Sequence, residues 1–226
     1  MHQKFLHVCL FTFLLSYAFA VCAQGAGRSA AEEPERPPPL IGPIGGVNFA
    51  SISVEPAEGL NLRMNTRATA GVAALLPIGG SKNQVQLELA YIGKGVKNEL
   101  TDTTELIALD YLCLSPMLHL NVGKQPGFFL HVGPELGLLI KSKYTMETGG
   151  VRESSDIEER YSVLDLSIKV GAGVIMRVSR RLFAQANVTY SIGFVDILTG
   201  PGTGSSAYTT RGLQIHAALL VPLRKE

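Results

Sequence analysis

Six charged side chains recur at alternate positions in segments that otherwise hold small, polar or apolar residues. They are Arg67, Glu88, Asp110, Glu135, Asp165 and Lys169. Alternate residues of a strand share one face, so we expect these six charges on one side of a sheet. Charges enclosed in a protein must be paired or hydrated. The favoured interpretation is an interior salt-bridge cluster that fixes the register of the strands. A proton or ion path, or a small-ligand site, is the alternative.

Two histidines, His131 and His216, share that face. A histidine near an aspartate and a serine would suit a hydrolase or an acyltransferase. The sequence holds neither a Gly-x-Ser-x-Gly elbow nor a metal-spaced pair of histidines. We therefore predict that both histidines fill the interior. We also predict that the protein is not an enzyme and uses no catalytic residue, cofactor or metal.

Eight segments with an apolar period of two position these side chains. In the clearest one, Val188 and Tyr190 lie in the apolar parity, whereas Asn187 and Thr189 lie in the polar one. A strand of about 12 residues rises roughly 40 Å, and a tilt of about 45° lets it cover the hydrocarbon layer of a membrane. The predicted strands are Ile44 to Val54, Thr66 to Leu76, Val85 to Tyr91, Leu106 to Leu120, Phe128 to Lys141, Tyr161 to Met176, Leu182 to Gly193 and Gly212 to Leu223.

The fourth segment changes its parity along its length. Its first half places Leu109 and Tyr111 outward and Asp110 inward, and its second half has Leu118 in the outward set. Proline cannot donate a hydrogen bond to a neighbouring strand. We therefore predict a β-bulge between Cys113 and Pro116.

The connections between the predicted strands are alternately longer and shorter. The longer ones are Val54 to Asn65, Gly93 to Glu105, Lys141 to Arg160 and Val195 to Tyr208; the shorter ones are Pro77 to Asn83, Asn121 to Gly127 and Val178 to Arg181. In an up-and-down meander, alternate connections belong to alternate ends, and transmembrane barrels have short turns at one end and long loops at the other. The longest connection is rich in charges, so we expect it to be solvated and mobile.

Both membrane barrels and soluble barrels show alternating apolar and polar residues, so alternation alone does not distinguish them. The composition of the two faces does. The polar face consists mainly of Gly, Ser, Thr, Ala, Gln and Asn, whereas a solvated outer face normally carries many Lys and Glu. Small residues suit the narrow interior of eight strands, and the apolar bands would overfill it. We therefore expect the apolar face to contact lipid; a soluble secreted lipocalin-like binder of small ligands is the alternative.

Composition and the ends of the chain set the organisation. Charged residues make up 17% of the 226 residues and the formal net charge is +1, so no nucleic-acid partner is indicated. Residues 1–23 have the features of a signal peptide, and we expect residues 24–41 to form a Pro-rich tether and residues 42–223 to form the barrel domain. Cys9 and Cys22 fall in the leader, so Cys113 remains alone and a disulfide framework is excluded.

Several short motifs resemble one known family. They are Gly45 to Asn48, Leu87 to Tyr91 followed by Gly93 to Gly95, Leu109 to Leu112 leading to Pro116, Gly133 to Gly137, Gly171 to Gly173, and Gly193 to Leu198. Their order is similar to that of the outer membrane protein β-barrel domain of Gram-negative bacteria, often labelled "porin family protein". The resemblance implies an all-β, eight-stranded antiparallel transmembrane barrel in the cell outer membrane. It also implies contact with outer-membrane lipid and the barrel assembly machinery, and no established catalytic set.

These observations predict an integral outer-membrane protein with a structural or surface-interaction role. Its longer loops, facing the outside of the cell, would bind a surface partner whose identity the sequence does not give. A narrow ion or small-solute channel is a further alternative, although side chains nearly fill a barrel of eight strands.

Overall fold

The computed structural model describes residues 37–55, 62–99, 103–122, 127–157, 161–198 and 207–223. The predicted signal peptide and residues 24–36 of the predicted tether lie outside these ranges. The strands are β1 (Leu40–Glu55), β2 (Leu62–Pro77), β3 (Gln84–Glu99), β4 (Thr103–Val122), β5 (Gly127–Thr148), β6 (Val151–Asp156), β7 (Leu164–Ser179), β8 (Leu182–Gly193) and β9 (Ala207–Pro222). The first strand begins at Leu40, so the last two residues assigned to the tether are part of it.

Eight of these strands close into an antiparallel ring. Neighbours along the chain pair with one another, β5 pairs with β7, and β1 closes the ring by pairing with β9. The closing register aligns Gly45 with Ala217 and Asn48 with Gln214. The prediction of an all-β, eight-stranded antiparallel architecture is confirmed.

The predicted alternation holds around most of the ring. Leu89, Val170 and Ile215 are 46%, 51% and 45% exposed on the outside, whereas the adjacent Glu88 and Lys169 are buried inside. The exterior is therefore apolar and the interior polar at mid-height, which is the reverse of a soluble calyx with an apolar interior.

The prediction for the first half of β4 was wrong. Leu109 and Tyr111 are fully buried and point inward, and Asp110 shares the outward parity of Leu112. Pro116 pairs with Leu87 in an unbroken β3–β4 register, so the predicted bulge is absent. The register shift instead lies between β4 and β5, beside Asp110 and Tyr111. The same parity of β4 therefore faces inward along the whole strand. The prediction failed because apolar residues also pack inside the ring.

The longest predicted connection, Lys141 to Arg160, is largely a β-hairpin in the described residues. β5 continues to Thr148, and β6 returns along it from Val151. The two-residue turn between them is Gly149-Gly150, with φ values of 58° and 83°. Glycine adopts positive φ at no steric cost, and Gly-Gly is one of the favoured pairs for a two-residue hairpin turn. Likewise, strand structure in β3 and β4 occupies most of the predicted connection Gly93 to Glu105.

Two apolar clusters fill the ends of the ring. The turn-end plug, at the end with the short turns, consists of Leu40, Ile44, Ala73, Leu75, Phe129, Ile175, Phe183, Ala218 and Leu220. The loop-end plug, at the other end, consists of Ile52, Val54, Ala90, Ile92, Val96, Leu109, Tyr111, Cys113, Tyr161 and Ile197. The first comes entirely from strands, whereas Tyr161 and Ile197 of the second lie in connecting segments. The polar interior is therefore a layer between two apolar ones.

Candidate functional site

Five buried charges form a continuous chain of ion pairs across the lumen. Lys94 Nζ lies 2.8 Å from Asp165 Oδ2 and 2.7 Å from Glu135 Oε1. Glu135 Oε2 lies 2.8 Å from Lys169 Nζ, which is 3.3 Å from Glu88 Oε2. We call the series Asp165–Lys94–Glu135–Lys169–Glu88 the ionic chain. It joins β3, β5 and β7 through side chains, across strands that are not all neighbours in the sheet.

Hydroxyl and amide groups complete the polar environment of the carboxylates. Ser167 Oγ donates to Glu135 Oε1 at 3.0 Å, and Thr210 Oγ1 donates to Asp165 Oδ2 at 2.8 Å. Gln86 Nε2 donates to Glu88 Oε1 at 2.6 Å. Buried charges are tolerated when such hydrogen bonds accompany the ion pairs. Most oxygen atoms of the ionic chain thus have a partner, whereas Asp165 Oδ1 has no hydrogen-bond partner among the described residues.

The side chains of this network are enclosed by the surrounding ring. Glu135 and Asp165 are 0% exposed and Lys169 is 1% exposed. Leu75 and Phe129 belong to the plug below the ionic chain, and Leu109 and Ile197 belong to the plug above it. A path for a solute would need space that these side chains occupy.

The predicted charge cluster divides into two groups in the structure. Glu88, Glu135, Asp165 and Lys169 lie together in the ionic chain. Arg67 and Asp110 form a separate ion pair, whose side chains are 24% and 14% exposed. Its partial exposure and the outward parity of Asp110 set this pair apart from the enclosed network.

Lys94 is the member of the ionic chain that the sequence analysis missed. It lies beyond the predicted end of the third strand, in the predicted connection Gly93 to Glu105. The sequence pattern could have revealed Lys94, because Glu88, Ala90, Ile92 and Lys94 all occupy even positions and therefore share one face of the strand. The apolar Ile92 concealed that continuation because it resembles an outward residue.

The histidines occupy the polar layer near the turn-end plug. His131 Nε2 lies 2.8 Å from Thr189 Oγ1, and the His119 ring stacks on Phe129 with centroids 4.0 Å apart. Gly171 makes room for His131, because a Cβ there would lie 2.4 Å from Nε2. His216 is also buried. No group of three or more His, Cys, Asp or Glu residues in the described part of the chain is placed to hold a metal ion.

At the loop end, three strands continue as a sheet that β6 extends. This loop-end sheet consists of residues 95–99 of β3, 103–108 of β4, 143–148 of β5, and β6. Tyr144 Oη donates to Glu105 Oε1 at 2.7 Å, and this hydrogen bond raises the pKa of Tyr144 to about 12. The ammonium of Lys97 lies 2.7 Å from Glu99 Oε1, and its hydrogen bond lowers the pKa of Glu99. The sheet is held by polar contacts on surfaces that water reaches.

The strand β6 lies at the edge of this sheet. All six of its residues are exposed. Residues 127–138 of β5 pair with β7, whereas residues 143–148 use the same edge of β5 to pair with β6. Among the strands that the structure describes, β6 pairs with β5 alone. No described strand occupies its second edge, which is therefore available to another strand.

A closed antiparallel ring with an apolar exterior and an enclosed polar interior defines the class of transmembrane β-barrels. The family model "Outer membrane protein beta-barrel domain" matches residues 34–198, and the chain belongs to this family. Its place is the cell outer membrane, as the resemblance predicted. Within the described residues, no helix is long and apolar enough to cross a membrane.

Solved structures show similarity at low sequence identity. Neisserial surface protein A is 12% identical, with a TM-score of 0.44, and the match covers 82% of this chain and 97% of that one. OprG of Pseudomonas aeruginosa is 12% identical, with a TM-score of 0.39, covering 83% and 97%. Ail of Yersinia pestis is 9% identical, with a TM-score of 0.37, covering 81% and 98%. A comparison with curated proteins finds no match.

Proposed function

We propose that this protein is a non-conducting membrane anchor that holds the loop-end sheet outside the cell, where the sheet binds a surface partner. The observation that carries the proposal is the enclosure of the ionic chain. A channel needs mobile charge and water along its axis, whereas Glu135 and Lys169 are locked to each other and to further partners. The lumen is then a rigid core rather than a pathway.

The exterior supports the anchoring role. Leu87, Leu114, Leu136 and Val188 are each more than a third exposed, on different strands of the ring. Burying apolar area stabilises by roughly 25 cal/mol per Å², so this surface favours lipid over water. Such a ring exposes no strand edge within the bilayer, and only the segments beyond it are free to meet a partner.

The loop-end sheet supports the binding role because it is ordered and displays side chains on a defined surface. A two-residue turn at Gly149-Gly150 and the Tyr144–Glu105 hydrogen bond fix the hairpin. A preorganised strand loses less conformational entropy on binding than a mobile loop does. Surface recognition by this segment therefore needs little rearrangement.

The enclosure of the lumen also argues for a non-enzymatic role. The His131–Thr189 contact is the arrangement nearest to a base and a hydroxyl nucleophile. Both residues are buried below the ionic chain, and a substrate would have to pass a plug to reach them. Their contact is better explained as lumen filling.

Two measurements on the full-length mature chain test the proposal. The first is single-molecule conductance in a planar bilayer, where we expect no current steps. The second is binding of outer-membrane vesicles to host or bacterial surfaces after residues 143–156 are replaced by an Asn-Gly turn. We expect binding to be lost while the folded barrel still shifts its gel mobility on boiling. Steady conductance by the intact chain, or full binding by the shortened one, would refute the proposal.

A further inference from the structure

The free edge of β6 carries charges of both signs at a spacing that makes the edge complementary to itself. Arg152 and Asp156 lie four residues apart, with Ser154 midway between them. In the described part of the chain, neither charge has an ion-pair partner. The function proposed above, in which the loop-end sheet is held outside the cell to bind a partner, is called the display role. On the basis of this role, we propose that the partner of the loop-end sheet is a second copy of this chain, which pairs antiparallel with β6.

The hairpin geometry decides which backbone groups are available. In a two-residue hairpin, the residues flanking the turn form a hydrogen-bonded pair, and such pairs alternate with non-hydrogen-bonded ones. Thr148 and Val151 flank the turn. It follows that Val151, Glu153 and Ser155 direct their N–H and C=O groups toward β5. The same groups of Arg152, Ser154 and Asp156 point to the free edge.

An antiparallel pair centred on Ser154 uses all of these groups. Each Arg152 then lies opposite Asp156 of the second copy, twice across one two-fold axis, as an isologous contact requires. These residues form the hydrogen-bonded pairs of that register. A shift of the register by one residue would place the outward N–H and C=O groups of one strand opposite residues whose own groups point toward β5. Shifting it by two would place Glu153 opposite Glu153 of the second copy, or remove the Arg152–Asp156 contact.

Charges on the neighbouring strand extend the complementarity. Lys143 lies opposite Asp156, and Glu147 lies opposite Arg152, on the same face of the hairpin. Pairing two copies therefore produces two rows that alternate in sign: Lys143, Asp156, then Arg152 and Glu147 of the second copy. Opposite charges across neighbouring strands stabilise a sheet, and like charges destabilise it. Charged edges normally prevent pairing between sheets, but here the self-register is the attractive one.

The direction of the strands fixes how the two molecules meet. Because antiparallel strands run in opposite directions and β5 and β6 continue the line of the barrel, the two barrels point in opposite directions. The contact therefore joins proteins in two facing membranes. A five-residue edge buries less surface than a stable interface needs. Many weak contacts between two membranes would provide the avidity.

Two cysteine variants test the register. The only cysteine in the described residues, Cys113, is buried, so the background is clean. In the proposed pair, residue 154 lies opposite its own copy with Cα atoms about 5.5 Å apart, within the range for a disulfide. Residue 155 lies about 8 Å from its own copy, outside that range. With vesicles carrying the full mature chain and copper–phenanthroline as oxidant, Ser154→Cys should give a disulfide-linked dimer, whereas Ser155→Cys should remain monomeric.

A charge swap tests the chemistry of the contact. We expect vesicles carrying the unaltered chain to aggregate, as measured by light scattering, whereas vesicles carrying Arg152→Asp and vesicles carrying Asp156→Arg should not. Mixing the two populations should restore it, because both contacts between the two copies of the mixed pair then join opposite charges. Lys82→Asp, an exposed charge reversal at the turn end, is the matched control and should aggregate normally.

The outcomes separate this inference from the display role. Equal cross-linking of both cysteine variants, no cross-linking of Ser154→Cys, or no recovery on mixing would overturn self-pairing. If the hairpin is still needed to bind another surface in any of those cases, the display role stands. If shortening the hairpin changes no binding at all, both are wrong.

Discussion

The ring and the loop-end sheet are made from the same strands, yet they obey different constraints. In the ring, β3 and β5 have neighbours on both sides and an enclosed face, so Lys94 and Glu135 are fixed by partners from across the lumen. Beyond the ring, β5 has β6 as its neighbour, and β6 offers an open edge. Closure removes the edges of a sheet. The molecule is rigid where it is closed and able to add a strand where it is not.

Removing the central carboxylate should give the largest effect. Glu135→Gln preserves the shape of the side chain but takes one ion-pair partner from Lys94 and one from Lys169. Removing one partner of a buried ion pair costs about 3–5 kcal/mol. We expect that loss in the free energy of unfolding, measured by urea titration in lipid vesicles. The vesicle aggregation of the folded fraction should not change. A loss below about 1 kcal/mol would show that the ionic chain is hydrated.

Truncating the loop-end plug should have the next largest effect. Ile197 is fully buried in this plug but lies in a connecting segment that adapts more easily than a strand. Ile197→Ala should cost about 2 kcal/mol, the low end of the range for such truncations. Phe183→Ala in the strand-built turn-end plug should cost more, about 3–5 kcal/mol. The same urea titration measures both, and the reverse order would contradict the distinction between the two plugs.

The partly exposed ion pair should contribute little. Asp110→Asn removes the ion-pair partner of Arg67; the two side chains are 14% and 24% exposed. Partial exposure weakens such a pair toward the about 0–1 kcal/mol that surface pairs contribute. We expect a change in unfolding free energy within that range, which makes this variant the charge-matched control for Glu135→Gln. A loss as large as that of Glu135→Gln would place the pair in the enclosed network after all.

The smallest effect concerns the hairpin and its pH dependence. The Glu105 carboxylate accepts a hydrogen bond from Tyr144 and raises the pKa of that phenol to about 12, above its unfolded value near 10. A raised pKa means that the stabilisation is complete below pH 10 and is lost as the pH rises through 12. The difference in ultraviolet titration between the unaltered chain and Tyr144→Phe should show one phenol ionising near pH 12. In Glu105→Gln this phenol should ionise closer to pH 10, and an unchanged titration would remove the assigned cause.

The sequence predicted the closed part of the molecule better than the open part. Alternation from Val85 to Tyr91 and from Leu182 to Gly193 matched strands β3 and β8, because those segments contact lipid on one side and polar groups on the other. The rule failed at Leu109 and Tyr111, since the loop-end plug also requires apolar residues. An apolar residue thus indicates removal from water but does not tell whether lipid or the plug encloses it.

The predicted cluster and the hairpin show the same limit. Alternation brought Glu88, Glu135, Asp165 and Lys169 to one face, but it gave no means of separating Arg67 from them, because a register shift in the neighbouring pairing lies beside that residue. The strand β6 has no apolar alternation at all, since both of its faces are solvated. Only the Gly149-Gly150 pair in the sequence is typical of a hairpin turn before this strand.

The reactivity of Cys113 tests the central claim, a sealed lumen, most directly. This thiol lies inside the ring and is fully buried in the loop-end plug. The folded barrel in vesicles is treated with a small charged methanethiosulfonate reagent, and the adduct is measured by mass spectrometry. Ser155→Cys, the variant expected to stay monomeric, supplies an exposed reference thiol in the same molecule. We predict that Cys113 stays unmodified while the barrel is folded and reacts once it is unfolded by boiling. Modification of Cys113 in the folded barrel at the rate of the reference thiol would mean that water and solutes enter the lumen, and the account of a sealed anchor would be wrong.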